Sequence, residues 1–330
     1  MENKRIAIVG VGAIGGFVAG QLIAAGRDVV LIARGMRAQE LAAHGLRLTD
    51  YDGLDRAVSS DALRVTDMAG GLAGAGVVLV CVKTADTAPV AAQIAAHALP
   101  TATVVSLQNG VQGAERLRAA LPGHRVLAGI VPFNVVPKGA GQWHRASSGD
   151  SVIGPDGADV AALLSVPGLS VGNDARIEAR QWGKLLINLG NAVNALSGMP
   201  LLAQLMDHDW RRLMADQMAE ALTVLRAQDL PVTSMTPLPA GLVPHVLRLP
   251  TPLFRRIAAQ MLTIDPDARS SMAQDVAAGR PTEIDALQGE IIARGRAAGV
   301  ATPLNCAVRA AIKRVEEGGA LPKGPAELRR

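Results

Sequence analysis

No charged residue interrupts residues 6–26, and six glycines fall inside that run, at positions 10, 12, 15, 16, 20 and 26. A stretch this long and apolar, preceded by Lys4 and Arg5, has the length of a membrane span. The glycine spacing argues against one. Each glycine in a helix interior costs about 0.5–1 kcal/mol relative to alanine, so their clustering points to a turn. Ile6-Ala7-Ile8-Val9 reads as a buried strand, Gly10-Val11-Gly12-Ala13-Ile14-Gly15 as a tight connection, and residues 17–25 as a helix ended by Gly26. Strand, G-x-G-x-x-G turn and helix together open an α/β fold. The first glycine permits the turn, the second lets the backbone approach an anion at the helix N-terminus, and the third packs helix on strand.

Residues 28–33 supply a second strand, and Arg34 stands at its C-terminal end, with Arg37 three positions on. In a dinucleotide site that end meets the adenosine ribose: an acid there accepts from a 2′-hydroxyl, whereas an arginine suits a 2′-phosphate. A charge-assisted hydrogen bond contributes about 1.5–3 kcal/mol, a roughly 10- to 150-fold preference for NADP over NAD. The competing explanation is an ordinary surface arginine just past a strand. Two more apolar runs, residues 77–82 and 103–107, read as parallel strands of the same sheet. Lys83-Thr84 follows the first and Gln108-Asn109-Gly110 the second. Parallel sheets bind ligands at that edge, so Lys83 could reach cofactor or substrate and Asn109 could orient a nicotinamide or a carbonyl. As plain loop residues they would mark a turn and a helix start. Residues 125–136 and 151–171 are expected to complete the sheet with an edge.

From Arg176 the pattern changes to nearly continuous helix. The fold class is therefore α/β: an N-terminal Rossmann-type dinucleotide-binding domain over residues 1–174 joined to an all-helical domain over 175–330. Helices are expected over residues 208–228, 261–278 and 282–298; residues 230–252, with six prolines, form a structured loop, and the tail after Glu317 is expected to be loose. Net charge is +4, yet the basic residues are scattered, and three Phe, three Trp and one Tyr offer few stacking surfaces. A small anionic ligand fits this composition better than nucleic acid. Cys81 and Cys306 lie far apart with no metal-ligand neighbours, so no disulfide framework or metal site is indicated and a reducing cytoplasm fits.

Residues 181–196 form an unusual helix. At 100° per residue Lys184, Asn188 and Asn191 share one stripe, while Leu185, Leu186, Ile187, Leu189, Val193 and Leu196 cover most of the rest. A helix apolar nearly all round is buried, and burying an ammonium without partners costs several kcal/mol, so the stripe is expected to face an interior crevice. The bland alternative is a lysine that snorkels to solvent. Pro281 and Thr282 mark a helix start that places Glu283 in a first turn, ionised and able to pair with Lys184; alone it would be an ordinary first-turn charge.

These residues together resemble the ketopantoate reductase (2-dehydropantoate 2-reductase) family. The resemblance runs through Gly10-x-Gly12-x-x-Gly15, Arg34, Lys83, Gln108-Asn109-Gly110, Trp182-x-Lys184-Leu185-x-x-Asn188, Ser271-Met272-x-Gln274-Asp275 and Arg280-x-Thr282-Glu283-Ile284-Asp285. It implies NADPH and a small 2-keto acid bound between a Rossmann domain and a helical one, no nucleic acid or membrane partner, and leaves a homodimer open. By position it implies Lys184 as the acid that protonates the carbonyl oxygen, with Glu283 holding Lys184 or the nascent hydroxyl. Asn188 and Ser271 would contact substrate, Asn109 and Lys83 would line the nicotinamide side, and Gly10, Val11, Gly12, Ala13, Ile14, Gly15 and Arg34 would hold the dinucleotide. The implied activity is reduction of 2-dehydropantoate to pantoate in pantothenate biosynthesis. The same mechanism on another 2-keto acid, and a non-catalytic NADP-binding sensor, are the alternatives. The family's second asparagine has no counterpart at Ala192; Asn191 and Asn194 flank that position, and the stripe favours Asn191.

Overall fold

The computed structural model describes residues 4–259 and 266–329. The chain forms two compact units, Met1–Ile177 and Glu178–Arg330.

The first unit is built on β1 (Ile6–Val9), β2 (Val29–Ile32), β3 (Leu46–Asp50), β4 (Asp55–Val58), β5 (Val65–Thr66), β6 (Val77–Val80), β7 (Thr103–Ser106), β8 (Arg125–Ile130), β9 (Val135–Gly139), β10 (Gln142–Arg145), β11 (Ser151–Ile153) and β12 (Val171–Asn173). Eight of these make one sheet in the order β12-β11-β8-β7-β6-β1-β2-β5. Neighbours from β5 to β8 run parallel, with Ile6 opposite both Val29 and Val77. Every residue of β1, β2, β6 and β7 is buried, which is why each reads as an unbroken apolar run: helices cover both faces of a parallel sheet. The chain leaves β1 for β2 on one side and returns to β6 on the other. That reversal opens a crevice at the C-terminal ends of β1 and β6, where the glycine turn and Lys83 lie.

A second sheet, β4-β3-β10-β9, is absent from the sequence expectations. It packs on the far side of the helix Ala13–Ala24, which is thus covered by sheet on both sides. A Cβ on Gly16 would meet the Trp143 ring, and one on Gly20 would lie 2.6 Å from Leu48. Double coverage explains the uncharged run at residues 6–26 without a membrane: an all-apolar helix is a fully buried one. No helix among the described residues is long and apolar enough to cross a membrane. The expected sheet completion is partly corrected by the same feature. β8, β11 and β12 do extend the main sheet, but β9 leaves it for the second one.

The second unit has no strand among its described residues. Its longest helix, His208–Ala227, is capped by Asp207, whose carboxylate accepts from the N–H groups of Asp209 and Trp210, and it buries Trp210, Leu213, Met218, Leu222 and Leu225. The fully buried Arg211 donates to the carbonyls of Leu205, Leu247 and Leu249 at 2.7–2.8 Å and lies 4.3 Å over the Phe254 ring. It thereby pins the proline-rich segment. That segment is not one loop: a short helix, Val243–Leu247, carries Pro244 in its first turn, where a missing N–H leaves no gap.

Two further expectations change. The tail is docked, with Leu328 buried and Arg329 paired to Asp216 at 2.7 Å, because one leucine and one ion pair give it something to hold. Of the helix expected over residues 261–278, residues 261–265 lie outside the described residues, residues 266–270 are not helical, and the helix Ser271–Ala277 starts at the Ser270 cap. The Ser270 hydroxyl accepts from the N–H of Ala273, which fixes that start.

Candidate active site

The three motif glycines are required for three different reasons. Gly10 has φ of 97°, in the left-handed region, and a Cβ there would lie 2.7 Å from a Val82 methyl. A Cβ on Gly15 would strike the carbonyl oxygen of Gly10, so this position is closed by the protein's own packing. Gly12 is different: its φ is an ordinary −87° and a Cβ would meet nothing within 4 Å. The protein's own packing does not ask for glycine at 12, and the open space beside its backbone leaves room for a group approaching from outside.

The helix after the turn begins at Ala13, four residues earlier than the sequence pattern suggests, with Gly12 as an N-cap that lacks a side chain and no acid in the first turn. No side chain of the cap or first turn thus answers the N–H groups of this helix start, where the helix dipole favours an anion. Arg34, exposed at the end of β2, is the N-cap of the helix Gly35–His44. Arg37 is already engaged, paired with Glu40 and lying 5.5 Å from the Trp143 ring centre. Of the two arginines, Arg34 is the exposed one at the strand end.

Lys83 and Asn109 are half-buried on the loops after β6 and β7. Gln108, which lies between them in the structure, ties the loops together. Its amide nitrogen donates to the carbonyl of Val82 at 3.1 Å and to the Thr87 hydroxyl at 2.8 Å, while its oxygen accepts from Ser106 at 3.2 Å. Thr84 adds a bond to the carbonyl of Asn109 at 3.4 Å. The sequence reading passed over Gln108, a polar residue at a strand end whose near-complete burial only the fold reveals.

In the second unit the Lys184 helix spans Ile177–Asn188 and a second helix, Gly190–Ser197, follows after a break at Leu189. The expected single helix over residues 181–196 is thus two helices that meet at Leu189. The fully buried Gln288 donates to the carbonyl of Leu189 at 2.9 Å. Leu185, Leu186, Leu189, Val193 and Leu196 are buried, whereas Lys184, Asn188 and Asn191 keep partial access to solvent. One residue before Lys184, the backbone of Thr233 crosses the helix so closely that a Cβ on Gly183 would strike its carbonyl oxygen. The Thr233 N–H donates to the carbonyl of Ala179 at 2.9 Å, so the start of the proline-rich segment is strapped to the lysine helix.

Burial lowers the pKa of Lys184 from 10.5 to about 8, and the charge of Glu283 opposes that shift. Glu283 is half-buried and forms the N-cap of the helix Ile284–Ala298, one residue earlier than the expected first-turn position. Just before it, the Thr282 hydroxyl accepts from the N–H of Ile284 at 3.2 Å. The two asparagines flanking Ala192 separate cleanly. Asn194 is fully buried; its amide donates to the carbonyl of Met199 at 3.1 Å and accepts from the N–H of Ser270 at 3.0 Å. It is a structural clamp. Asn191 is half-buried and lends its backbone carbonyl to the Ser270 hydroxyl at 3.0 Å, which brings the exposed Ser271 beside the asparagine stripe. No group of His, Cys, Asp and Glu among the described residues could hold a metal ion.

A nucleotide-binding α/β unit and a helical unit with a titratable lysine define an oxidoreductase that reduces a carbonyl. Comparison with known proteins makes this specific. The family model described as Ketopantoate reductase PanE/ApbA matches residues 6–157, and its C-terminal counterpart matches residues 176–316. A 2-dehydropantoate 2-reductase of Mycobacterium tuberculosis H37Rv is 31% identical over 91% of this chain and 94% of its own length. The crystal structure of a PanE/ApbA family ketopantoate reductase from Ralstonia eutropha JMP134 is 32% identical with a TM-score of 0.80, covering 95% of this chain and 99% of the other. A D-mandelate dehydrogenase structure with NADH and anilino(oxo)acetate, 20% identical with a TM-score of 0.79 over 95% and 99% of the two chains, shares the fold. The chain belongs to the ketopantoate reductase family. Its cofactor is accordingly a nicotinamide dinucleotide, and its substrate is a small keto acid.

Proposed function

We propose that this chain reduces 2-dehydropantoate to pantoate, a step of pantothenate biosynthesis, with NADPH as cofactor and Lys184 as the general acid. One observation carries the mechanism: a half-buried ammonium with its pKa brought to about 8, under the influence of Glu283, on the face that also presents Asn188 and Asn191. The name 2-dehydropantoate 2-reductase, shared by relatives from Mycobacterium, Mesorhizobium and Halobacterium, supports the substrate.

The glycine turn from Gly10 to Gly15, Val11, Ala13 and Ile14 included, would hold the pyrophosphate; Arg34 would hold the 2′-phosphate and favour NADPH; Lys83 and Asn109 would line the nicotinamide side. When bound, the cofactor contributes hydride to the carbonyl carbon. Negative charge then develops on the carbonyl oxygen, and Lys184 Nζ stabilises it and gives up its proton, taking another from solvent afterwards. With a pKa of about 8 the ammonium is protonated at neutral pH by roughly ten to one and remains acidic enough to donate. Glu283 keeps it so, because burial alone would drive the pKa lower still. Asn188 and Asn191 would hold the substrate's polar groups, and the Ser271 hydroxyl its carboxylate. We place the cofactor role in residues 1–174 and the acid in residues 175–330. The unpaired thiols of Cys81 and Cys306 suit a cytoplasmic enzyme.

The test is initial-rate NADPH oxidation with 2-dehydropantoate against a panel of other 2-keto acids. Fastest turnover of 2-dehydropantoate is expected; preference for another acid would change the substrate, and turnover of none despite NADPH binding would end the enzymatic reading. In the same assay Arg34→Asp should erode the preference for NADPH over NADH by roughly 10- to 150-fold. An unchanged ratio would mean that another residue reads the phosphate.

A further inference from the structure

The Glu283 side chain makes no cap hydrogen bond to the helix it precedes. The residue before it is anchored from a separate helix. Thr282 donates its backbone N–H at 2.7 Å and its hydroxyl at 2.6 Å to a single oxygen, Oε1 of Glu316. Glu316 is the last residue of the helix Pro303–Glu316, with a side chain only 15% exposed. Its other oxygen, Oε2, receives Lys313 Nζ at 3.0 Å; Lys313 also pairs with Asp285 at 2.9 Å, and Asp285 with Arg309 at 2.7 Å. Neutralised by Lys313 and bonded twice by Thr282, the Glu316 carboxyl is held below the usual carboxylate range against the opposing effect of its burial.

The two bonds from Thr282 have separate consequences. Orienting the hydroxyl serves the helix, because that hydroxyl also accepts from the N–H of Ile284. The bond from the Thr282 N–H adds nothing to the helix ladder. It immobilises the backbone just before Glu283. We infer that Glu316 is a positioning residue for the reductase reaction, holding Thr282 so that the turn places the Glu283 carboxylate at Lys184. This inference rests on the proposed role of Lys184 as proton donor. Glu316 acts by placement and not by its own charge: Glu283 is the carboxylate whose charge acts on Lys184. The charged groups around Glu316 itself are Lys313 and, through it, Asp285 and Arg309.

A titration of Lys184 in the full-length protein tests this without requiring turnover. The lysines are Lys4, Lys83, Lys138, Lys184, Lys313 and Lys323, few enough to resolve by ¹³C-lysine NMR, with the Lys184 signal assigned by its loss in Lys184→Arg. Glu283→Gln should lower the Lys184 midpoint by about one pH unit, the effect of losing a nearby opposite charge. Glu316→Ala should move it in the same direction by at least half as much, and the double variant no further than Glu283→Gln alone. Glu316→Gln keeps an acceptor oxygen for Thr282 and should stay near the wild-type midpoint. If Glu316→Ala does not fold, Glu316→Met, which fills the side chain's volume but offers the Thr282 N–H no oxygen, must lower the midpoint too.

An unmoved midpoint in Glu316→Ala, or in Glu316→Met where that variant stands in, would overturn the inference and leave the proton-donor reading intact. So would a Glu316→Gln shift as large as that of the alanine, which would mean that charge and not placement matters. Near-normal kcat in Lys184→Ala would instead end the proton-donor reading while the titration still judged the anchoring of Glu283.

Discussion

The glycine turn and the Lys184 helix both carry positive potential, and they assemble it from different materials. At the turn it comes from backbone N–H groups of consecutive residues, set by the φ of Gly10 and the close packing of Gly15. On the helix it comes from one ammonium whose charge state depends on burial and on a carboxylate from a separate helix. A backbone dipole does not titrate, whereas an amine brought to a pKa of about 8 does. The first arrangement suits a group that must hold phosphate at any pH, the second a group that must give up a proton on every turnover.

The largest expected effect separates these roles. Lys184→Ala should lower kcat by roughly 10²–10⁴-fold while the cofactor's Kd stays near wild type. Measured by steady-state kinetics together with NADPH fluorescence titration, near-normal kcat would remove Lys184 from the chemistry. In the wild type, kcat should fall as pH rises through the Lys184 pKa, about 8, because the donor is lost with the proton.

The turn can be divided in the same way. Gly15→Ala would drive a Cβ into the carbonyl of Gly10 and should destabilise the fold by about 1–3 kcal/mol, as overpacking does. Gly12→Ala meets open space at an ordinary φ, so its melting temperature should hold while the cofactor's Kd rises about 10- to 100-fold, a loss of 1.4–2.8 kcal/mol. Thermal melts and cofactor titration on both variants decide it. Equal destabilisation by the two would mean that Gly12 is there for the protein and not for a ligand.

What the sequence makes legible follows the same division. The strands β1, β2, β6 and β7 and the turn are local, since periodicity and glycine spacing over a few residues determine them. The four-stranded sheet is not local. β3 pairs with β10, far away in the chain, and the only trace in sequence of its packing on the Ala13–Ala24 helix is that the helix lacks a polar face. The lysine stripe is visible as a pattern, yet the bond from Gln288 to the Leu189 carbonyl is not, and the distinction between Asn191 and Asn194 depends on Ser270 and Met199. Side-chain hydrogen bonds across long sequence separations leave no periodicity to read. The docked tail escaped for the same reason, its anchors being the buried Leu328 and one ion pair to the distant Asp216.

The smallest effect bears on the cost of holding the lysine. A lysine whose pKa falls from 10.5 to about 8 on folding binds a proton less readily in the folded state, so between those values the unfolded chain carries more of the proton and folding stability rises with pH. Below about pH 8 the penalty is present in full. Lys184→Met keeps the methylene stem among Leu185, Leu186 and their neighbours and removes the charge, so it should stabilise the protein at neutral pH by about 1–2 kcal/mol. The gain should shrink as pH rises from about 8 to above 10.5, beyond which the wild-type amine is neutral in both states. Urea midpoints measured across that range give the answer: a variant less stable than wild type at neutral pH would mean that Glu283 more than offsets the desolvation, and that the ammonium is a net structural contributor.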